Sequence, residues 1–188
     1  MINYHELCIA ENEHLYGPGR RLLLFTQGCS LHCKGCVNSH LWDFGCGKDI
    51  SAAEILGLCK ENKLDGITLH GGEPLDQPEA VFEAVKLLKE NGFSVILFTG
   101  YTKKELQVDQ IKVWDAADIV VCGRFVESKK NLYMQFRGST NQRVYTHKGK
   151  YKGYKVTDGE TVAILTLDGK GGLNVKGFIS DDIRKIIG

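Results

Sequence analysis

The stretch from Thr26 to Asn38 reads T-Q-G-C-S-L-H-C-K-G-C-V-N and follows directly on the apolar run Leu22-Leu23-Leu24-Phe25. That run has the length and composition of a buried strand, over about residues 20–26. The loop behind it carries Cys29, Cys33 and Cys36 in the spacing C-x3-C-x2-C. Three thiolates on one short loop suffice for three irons of a cubane cluster. The fourth iron is left open for chemistry, whereas clusters of this kind are ordinarily held by four cysteines.

The rest of the chain is consistent with one domain built around that loop. Its 188 residues allow a sizeable core but not a full eight-fold barrel, which needs about 250 residues. Twenty-four basic and 23 acidic side chains give a net charge of +1, so nothing points to nucleic acid as the main partner. No apolar run approaches a membrane span, and the N-terminus has no secretory h-region. Seven cysteines without such a signal argue for reduced thiols in a cytoplasmic protein rather than a disulfide framework.

Residues 1–19 read as a mixed lead-in ending in the turn Gly17-Pro18-Gly19, and 39–50 as Gly-rich and irregular. Ser51-Ala52-Ala53-Glu54 is a capping box that starts a helix. Gly66 to His70 forms a second strand and runs into Gly71-Gly72-Glu73-Pro74. A helix follows over about 78–91, with Pro78 in its first turn. The run from Phe93 to Phe98 is a third strand ending at Thr99-Gly100-Tyr101. A weaker helix spans about 103–114, and Ile119 to Val121 is a fourth strand ending at Cys122-Gly123-Arg124. This alternation predicts an α/β fold, an incomplete β/α barrel with parallel strands. In such a fold the four loops after the four strands share one face, the carboxyl edge where ligands bind.

Beyond residue 126 the pattern changes. Arg137 to Gln142, R-G-S-T-N-Q, reads either as a partner site or as a hydrogen-bonded loop. Lys148 to Lys155, K-G-K-Y-K-G-Y-K, reads as a solvated face, with a stacking groove for RNA or DNA as the alternative. Val162 to Leu167 and Leu173 to Phe178 predict a hairpin around Asp168–Gly172, and Ser180-Asp181-Asp182 caps a short terminal helix. The expected division is a core over 1–147 and a hairpin-and-helix appendage over 148–188, packed on the same domain.

The order of C-x3-C-x2-C, then G-G-E-P, then R-G-S-x-N-Q resembles the radical S-adenosylmethionine (SAM) enzymes. More narrowly it is similar to the activating enzymes of anaerobic (class III) ribonucleotide reductases, over about residues 3–147. Gly17-Pro18-Gly19 with Arg21, Thr99-Gly100-Tyr101 and Gly123-x-Phe125-Val126 belong to the same likeness. Many radical SAM enzymes carry an aromatic residue before the third cysteine. Gly35 stands there instead, as in the activating-enzyme branch.

The resemblance implies a [4Fe-4S] cluster on Cys29, Cys33 and Cys36, with SAM on the open iron. It makes Gly35, Val37, Gly71, Gly72, Glu73, Pro74, Thr99 and Tyr101 the cofactor-binding candidates. Glu73 or nearby carbonyls are expected to hold the SAM ammonium. Reductive cleavage of SAM would yield a 5′-deoxyadenosyl radical that takes a hydrogen from a glycine Cα. The implied protein substrate is the large subunit of an anaerobic ribonucleotide reductase, and the implied reductant a flavodoxin-type donor. Two other enzyme readings stay open: action on another glycyl radical enzyme, or on a peptide.

Outside that class, the three cysteines fit an iron–sulfur electron carrier or a zinc module with His32, His40 or Cys46 as fourth ligand. Cys122 stands where the family pattern has an aspartate and reads as a buried small hydrophobe. Cys8, Cys46 and Cys59 read as bystanders.

Overall fold

The computed structural model describes residues 1–146, 148–159, 163–167 and 173–177. Strand β1 (Ile2–Ala10) leads through a single helical turn, α1 (Glu13–Tyr16), into β2 (Arg21–Thr26). Then follow β3 (Lys48–Ile50), α2 (Ala52–Glu61), β4 (Gly66–Gly71), α3 (Pro78–Glu90), β5 (Ser94–Thr99), α4 (Val108–Ala116), β6 (Ile119–Cys122) and β7 (Arg143–Tyr145). These strands make one seven-stranded sheet in the order β3-β1-β2-β4-β5-β6-β7.

Strands β2, β4, β5 and β6 pair in parallel, as the strand–helix alternation requires. The fold is α/β, a partial β/α barrel. Strands β1, β3 and β7 add to it in antiparallel register, in segments that read as lead-in and loop. The connection from β1 to β2 is too short for a parallel crossover, so the lead-in folds back as an antiparallel neighbour. Two further strands, β8 (Ala163–Leu167) and β9 (Leu173–Gly177), form the expected antiparallel hairpin. Its turn at 168–172 and the helix expected from Ser180 lie outside the described residues.

Each parallel strand is covered on both faces, which explains the continuous apolar runs. Leu22, Leu24, Ile67, Leu69, Val95, Leu97 and Val120 face the helices, against Ile55 of α2, Val81, Val85 and Leu88 of α3, and Trp114 of α4. The Ser51–Glu54 capping box forms in both directions at the start of α2. Helix α4 starts at Val108, later than expected, because residues 103–105 make a separate 3-10 turn. Cys59 and Cys122 are buried in this helix-side core, in keeping with the reading of Cys122 as a small hydrophobe.

The opposite face lines the inside of the half-barrel. Ile96, Ile119 and Val121 meet Phe136 there, with Phe98, Val144, Tyr151 and Tyr154 packed against them. Residues 148–154 are therefore not simply a solvated face. They run beneath the amino ends of the parallel strands, while Lys150 and Lys152 remain exposed. The Tyr151 hydroxyl lies against Arg21, a fully buried side chain that donates to Thr68 Oγ1 at 2.8 Å and to Ser94 Oγ at 2.9 Å. The Lys150 amide donates to the buried Asp118 carboxylate, which also receives Lys89 Nζ at 2.6 Å. Apolar ring area and a buried carboxylate decide this packing, and neither is visible in a run of lysines and glycines.

Candidate active site

The loops after β2, β4, β5 and β6 converge at the carboxyl edge around one cleft of about 570 Å3, within the roughly 300–1,000 Å3 usual for small-molecule sites. Cys29, Cys33 and Cys36 all line it, together with Val37, Gly71, Gly72, Glu73 and Thr99. Gly35, Pro74 and Tyr101, also singled out in the sequence, are not among its lining residues: Gly35 is exposed and Pro74 buried.

The cysteine loop is held from both sides. The Gly28 and Cys29 amides donate to the carbonyls of Leu41 and Trp42, and the Cys36 amide to the Cys33 carbonyl. Burial pushes the Cys29 thiol up, and the backbone amides of Leu31 and His32 that donate to its sulfur pull it back. Burial likewise raises the Cys33 thiol, opposed by the Phe125 amide. Metal uptake at these sulfurs must therefore displace protons.

The donor set fits an iron–sulfur cluster: three free thiols, soft ligands, on one cleft. Among the described residues no three Cys, His, Asp or Glu side chains group as a single metal ion requires. A cubane asks less of the cysteines, since each needs to reach only its own corner. The alternative ligands are engaged elsewhere or turned outward. His32 packs on Trp42 at 4.8 Å between ring centroids, His40 on His5 at 5.4 Å, and Cys46 is exposed.

The Gly-Gly-Glu-Pro loop is stitched to the cysteine loop by Gly72 N–H to Thr26 O at 2.8 Å and Glu73 N–H to Gly28 O at 2.9 Å. These contacts explain the glycine at 72. A Cβ there would lie 2.2 Å from the Gly28 carbonyl oxygen, so only a bare backbone passes. Glu73 is 1 % exposed. Its Oε1 accepts from the Leu75 amide at 2.9 Å and the Thr99 hydroxyl at 2.8 Å, and its Oε2 from the Gly100 amide at 2.7 Å. Burial pushes this carboxyl up to about 7, while those donors favour the ionised form. One side chain thus joins the ends of β4 and β5.

His70 carried no signal beyond being a polar residue on a buried strand. It lies on the cleft side of β4, between the rings of Phe25 and Phe98 at 5.3 and 4.6 Å. Its Nδ1 accepts from the Gly71 amide at 2.7 Å, and burial pushes its pKa down to about 4. The ring is therefore neutral with the proton on Nε2. Asn38, the last residue of the cysteine stretch, donates to the Gly71 carbonyl at 3.2 Å.

Arg137 to Gln142 forms the hydrogen-bonded loop that was one of its two readings. Gln142 Oε1 accepts from the Gly138 and Ser139 amides, and Gln142 and Asn141 donate to the carbonyls of Gly123 and Arg124. Arg137 pairs with Asp158 through two bonds of 2.6 and 2.8 Å. The loop fixes the segment that follows β6.

A three-cysteine loop at the carboxyl edge of a half-barrel defines a class, and the profile of the 4Fe-4S single cluster domain matches residues 15–145. The chain belongs to that family, within its branch of radical SAM activating enzymes. It is 32% identical over 154 residues to the anaerobic ribonucleoside-triphosphate reductase-activating protein of Escherichia coli (strain K12), a match covering 77% of this chain and 98% of that one. It is also 39% identical over 92 residues to the pyruvate formate-lyase-activating enzyme of Clostridium pasteurianum, covering 45% of this chain and 39% of that one. A solved structure, QueE from Escherichia coli, aligns over 53% of this chain and 52% of its own at 20% identity, with a TM-score of 0.44. The cofactors are a [4Fe-4S] cluster and SAM. Among the described residues no helix is long and apolar enough to cross a membrane.

Proposed function

We propose that this chain is a cytoplasmic activase that installs a glycyl radical on the large subunit of an anaerobic ribonucleotide reductase, fed by a flavodoxin-type donor. The observation that carries the reading is the meeting of Cys29, Cys33 and Cys36 with Gly71, Gly72 and Thr99 around one open cleft. In this reading the three cysteines hold three irons and leave the fourth to SAM. A cluster held there would supply the one-electron reduction of SAM, with abstraction of a glycine Cα hydrogen as the outcome.

The chain's own part is binding, orientation and exclusion of side reactions. Gly71 and Gly72 admit the methionine end of SAM close to backbone. Both oxygens of Glu73 are taken by chain donors, which leaves neighbouring carbonyls for the ammonium and gives Glu73 the task of holding the loop. Thr99 and Val37 line the nucleoside side. Gly35, Pro74 and Tyr101 act through the loops they shape. His70 offers a neutral N–H to whatever enters the cleft. In this reading residues 1–147 supply the radical SAM core and the chain beyond 147 is an addition to it, of which 148–154 pack beneath its strands. The half-barrel leaves the mouth open, as suits a reaction completed by a protein loop.

The test is anaerobic purification, metal analysis, and reduction with dithionite in the presence of SAM. About four irons per chain, 5′-deoxyadenosine release and an electron paramagnetic resonance doublet on the reductase are expected. Stoichiometric zinc without SAM cleavage would overturn the reading. The likeness to a pyruvate formate-lyase-activating enzyme favours a second target, another glycyl radical enzyme. Transfer of the radical to such a protein in preference to the reductase would select it.

A further inference from the structure

Asp76 ends the short helical turn Pro74–Asp76 and reaches back to the cysteine loop. Its Oδ2 accepts from the Ser30 amide at 2.6 Å, and its Oδ1 from the Ser30 hydroxyl at 3.0 Å and the Tyr101 hydroxyl at 2.9 Å. The two hydroxyls are themselves 2.9 Å apart. One carboxylate thus ties together the loops that follow β2, β4 and β5, at the residue next to Cys29.

We propose that Asp76 is a positioning residue that fixes the turn after Cys29 and, through its negative charge, holds the cluster's reduction potential down. The inference rests on Cys29 being a cluster ligand. The Ser30 amide directly follows Cys29 in the chain, so its bond to Asp76 fixes the direction in which the loop leaves that ligand. Charge-assisted bonds of this kind are short and about twice as strong as neutral ones. Reduction adds an electron to the cluster, and a fixed anion beside it opposes that step. Net charge and hydrogen bonds near the sulfurs are the protein's main controls on such potentials.

The experiment is a potentiometric titration of the cluster-loaded enzyme, followed by electron paramagnetic resonance, for wild type, Asp76→Asn and Ser30→Ala. Asparagine keeps an oxygen for the Ser30 amide but removes the charge. Asp76→Asn is expected to retain its iron and titrate at a more positive midpoint, with Ser30→Ala moving less. A loaded Asp76→Asn enzyme with the wild-type midpoint overturns the proposal. If Asp76→Asn takes up no iron, hydrogen exchange at the Ser30 amide decides. Faster exchange than wild type upholds the positioning role, and unchanged exchange overturns it. A wild-type chain that holds no four-iron cluster would instead overturn the assignment of Cys29.

Discussion

Glu73→Gln separates the structural load on this carboxylate from any contact with SAM. In the folded chain three donors converge on Glu73, and burial raises its pKa from 4.5 to about 7. A carboxyl whose folded pKa is raised binds its proton more tightly in the folded state. That contribution is complete below about pH 4.5 and is lost as pH rises through about 7. At roughly 1.4 kcal/mol per pKa unit the loss is about 3 kcal/mol between pH 4.5 and 8. Glutamine cannot titrate and presents an N–H2 toward the Gly100 amide or the Thr99–Leu75 pair. Below about pH 7 the wild-type carboxyl is itself protonated and turns an O–H toward one of the same donors, so glutamine mimics that state and adds little cost there.

The variant should therefore match wild type to within about 1 kcal/mol at pH 5. By pH 8 it should be the more stable of the two by up to about 3 kcal/mol, as wild type loses its contribution. Anaerobic urea unfolding of both cluster-loaded proteins at several pH values measures the difference, in which effects common to the two cancel. Parallel stability curves would refute the account, since they would mean that Glu73 does not change its proton between the folded and unfolded states in this range.

Three other substitutions test separate parts of the structure. Gly72→Ala puts a Cβ 2.2 Å from the Gly28 carbonyl oxygen and must part the two loops. Calorimetry should show SAM affinity reduced at least about tenfold, a change of about 1.4 kcal/mol, with the iron content retained. Gly149→Ala places a Cβ 1.6 Å from Asp118 Oδ1 at a φ of +58°, so thermal unfolding should register a loss of about 1–3 kcal/mol. Lys89→Met leaves the fully buried Asp118 carboxylate without its cation. Lys89 is itself one-third exposed, so the cost belongs at the lower end of the about 3–5 kcal/mol for a broken buried pair, read from urea unfolding.

Much of the core was legible because its signals are local. Leu22–Phe25, Phe93–Phe98 apart from Ser94, and Ile119–Val121 are apolar, as strands covered on both faces must be, and each recurs as a parallel strand. The capping box at Ser51–Glu54 specifies its own geometry within four residues. Antiparallel β1, β3 and β7 were not legible. Their residues are mixed or polar, and their hydrogen-bond partners lie far away in sequence, as with Ile2 opposite Ile50 and Val121 opposite Val144. The segment 148–154 misled because its lysines dominate its composition while its tyrosines carry its packing.

The sequence by itself determined the cysteine motif, the order of the loops and, through the handedness of strand–helix–strand crossovers, their meeting at one edge. Which side chains enter the cleft was decided only by the tertiary structure. Thr99 and Tyr101 are two residues apart, yet Thr99 lines the cleft beside Glu73 while the Tyr101 hydroxyl turns to Asp76 and Ser30. Side-chain direction in a loop depends on partners from other strands, and a linear pattern does not contain them. The C-x3-C-x2-C loop announces its metal chemistry in eight residues, but the carboxylates that hold it, Glu73 and Asp76, stand more than 35 positions further along the chain.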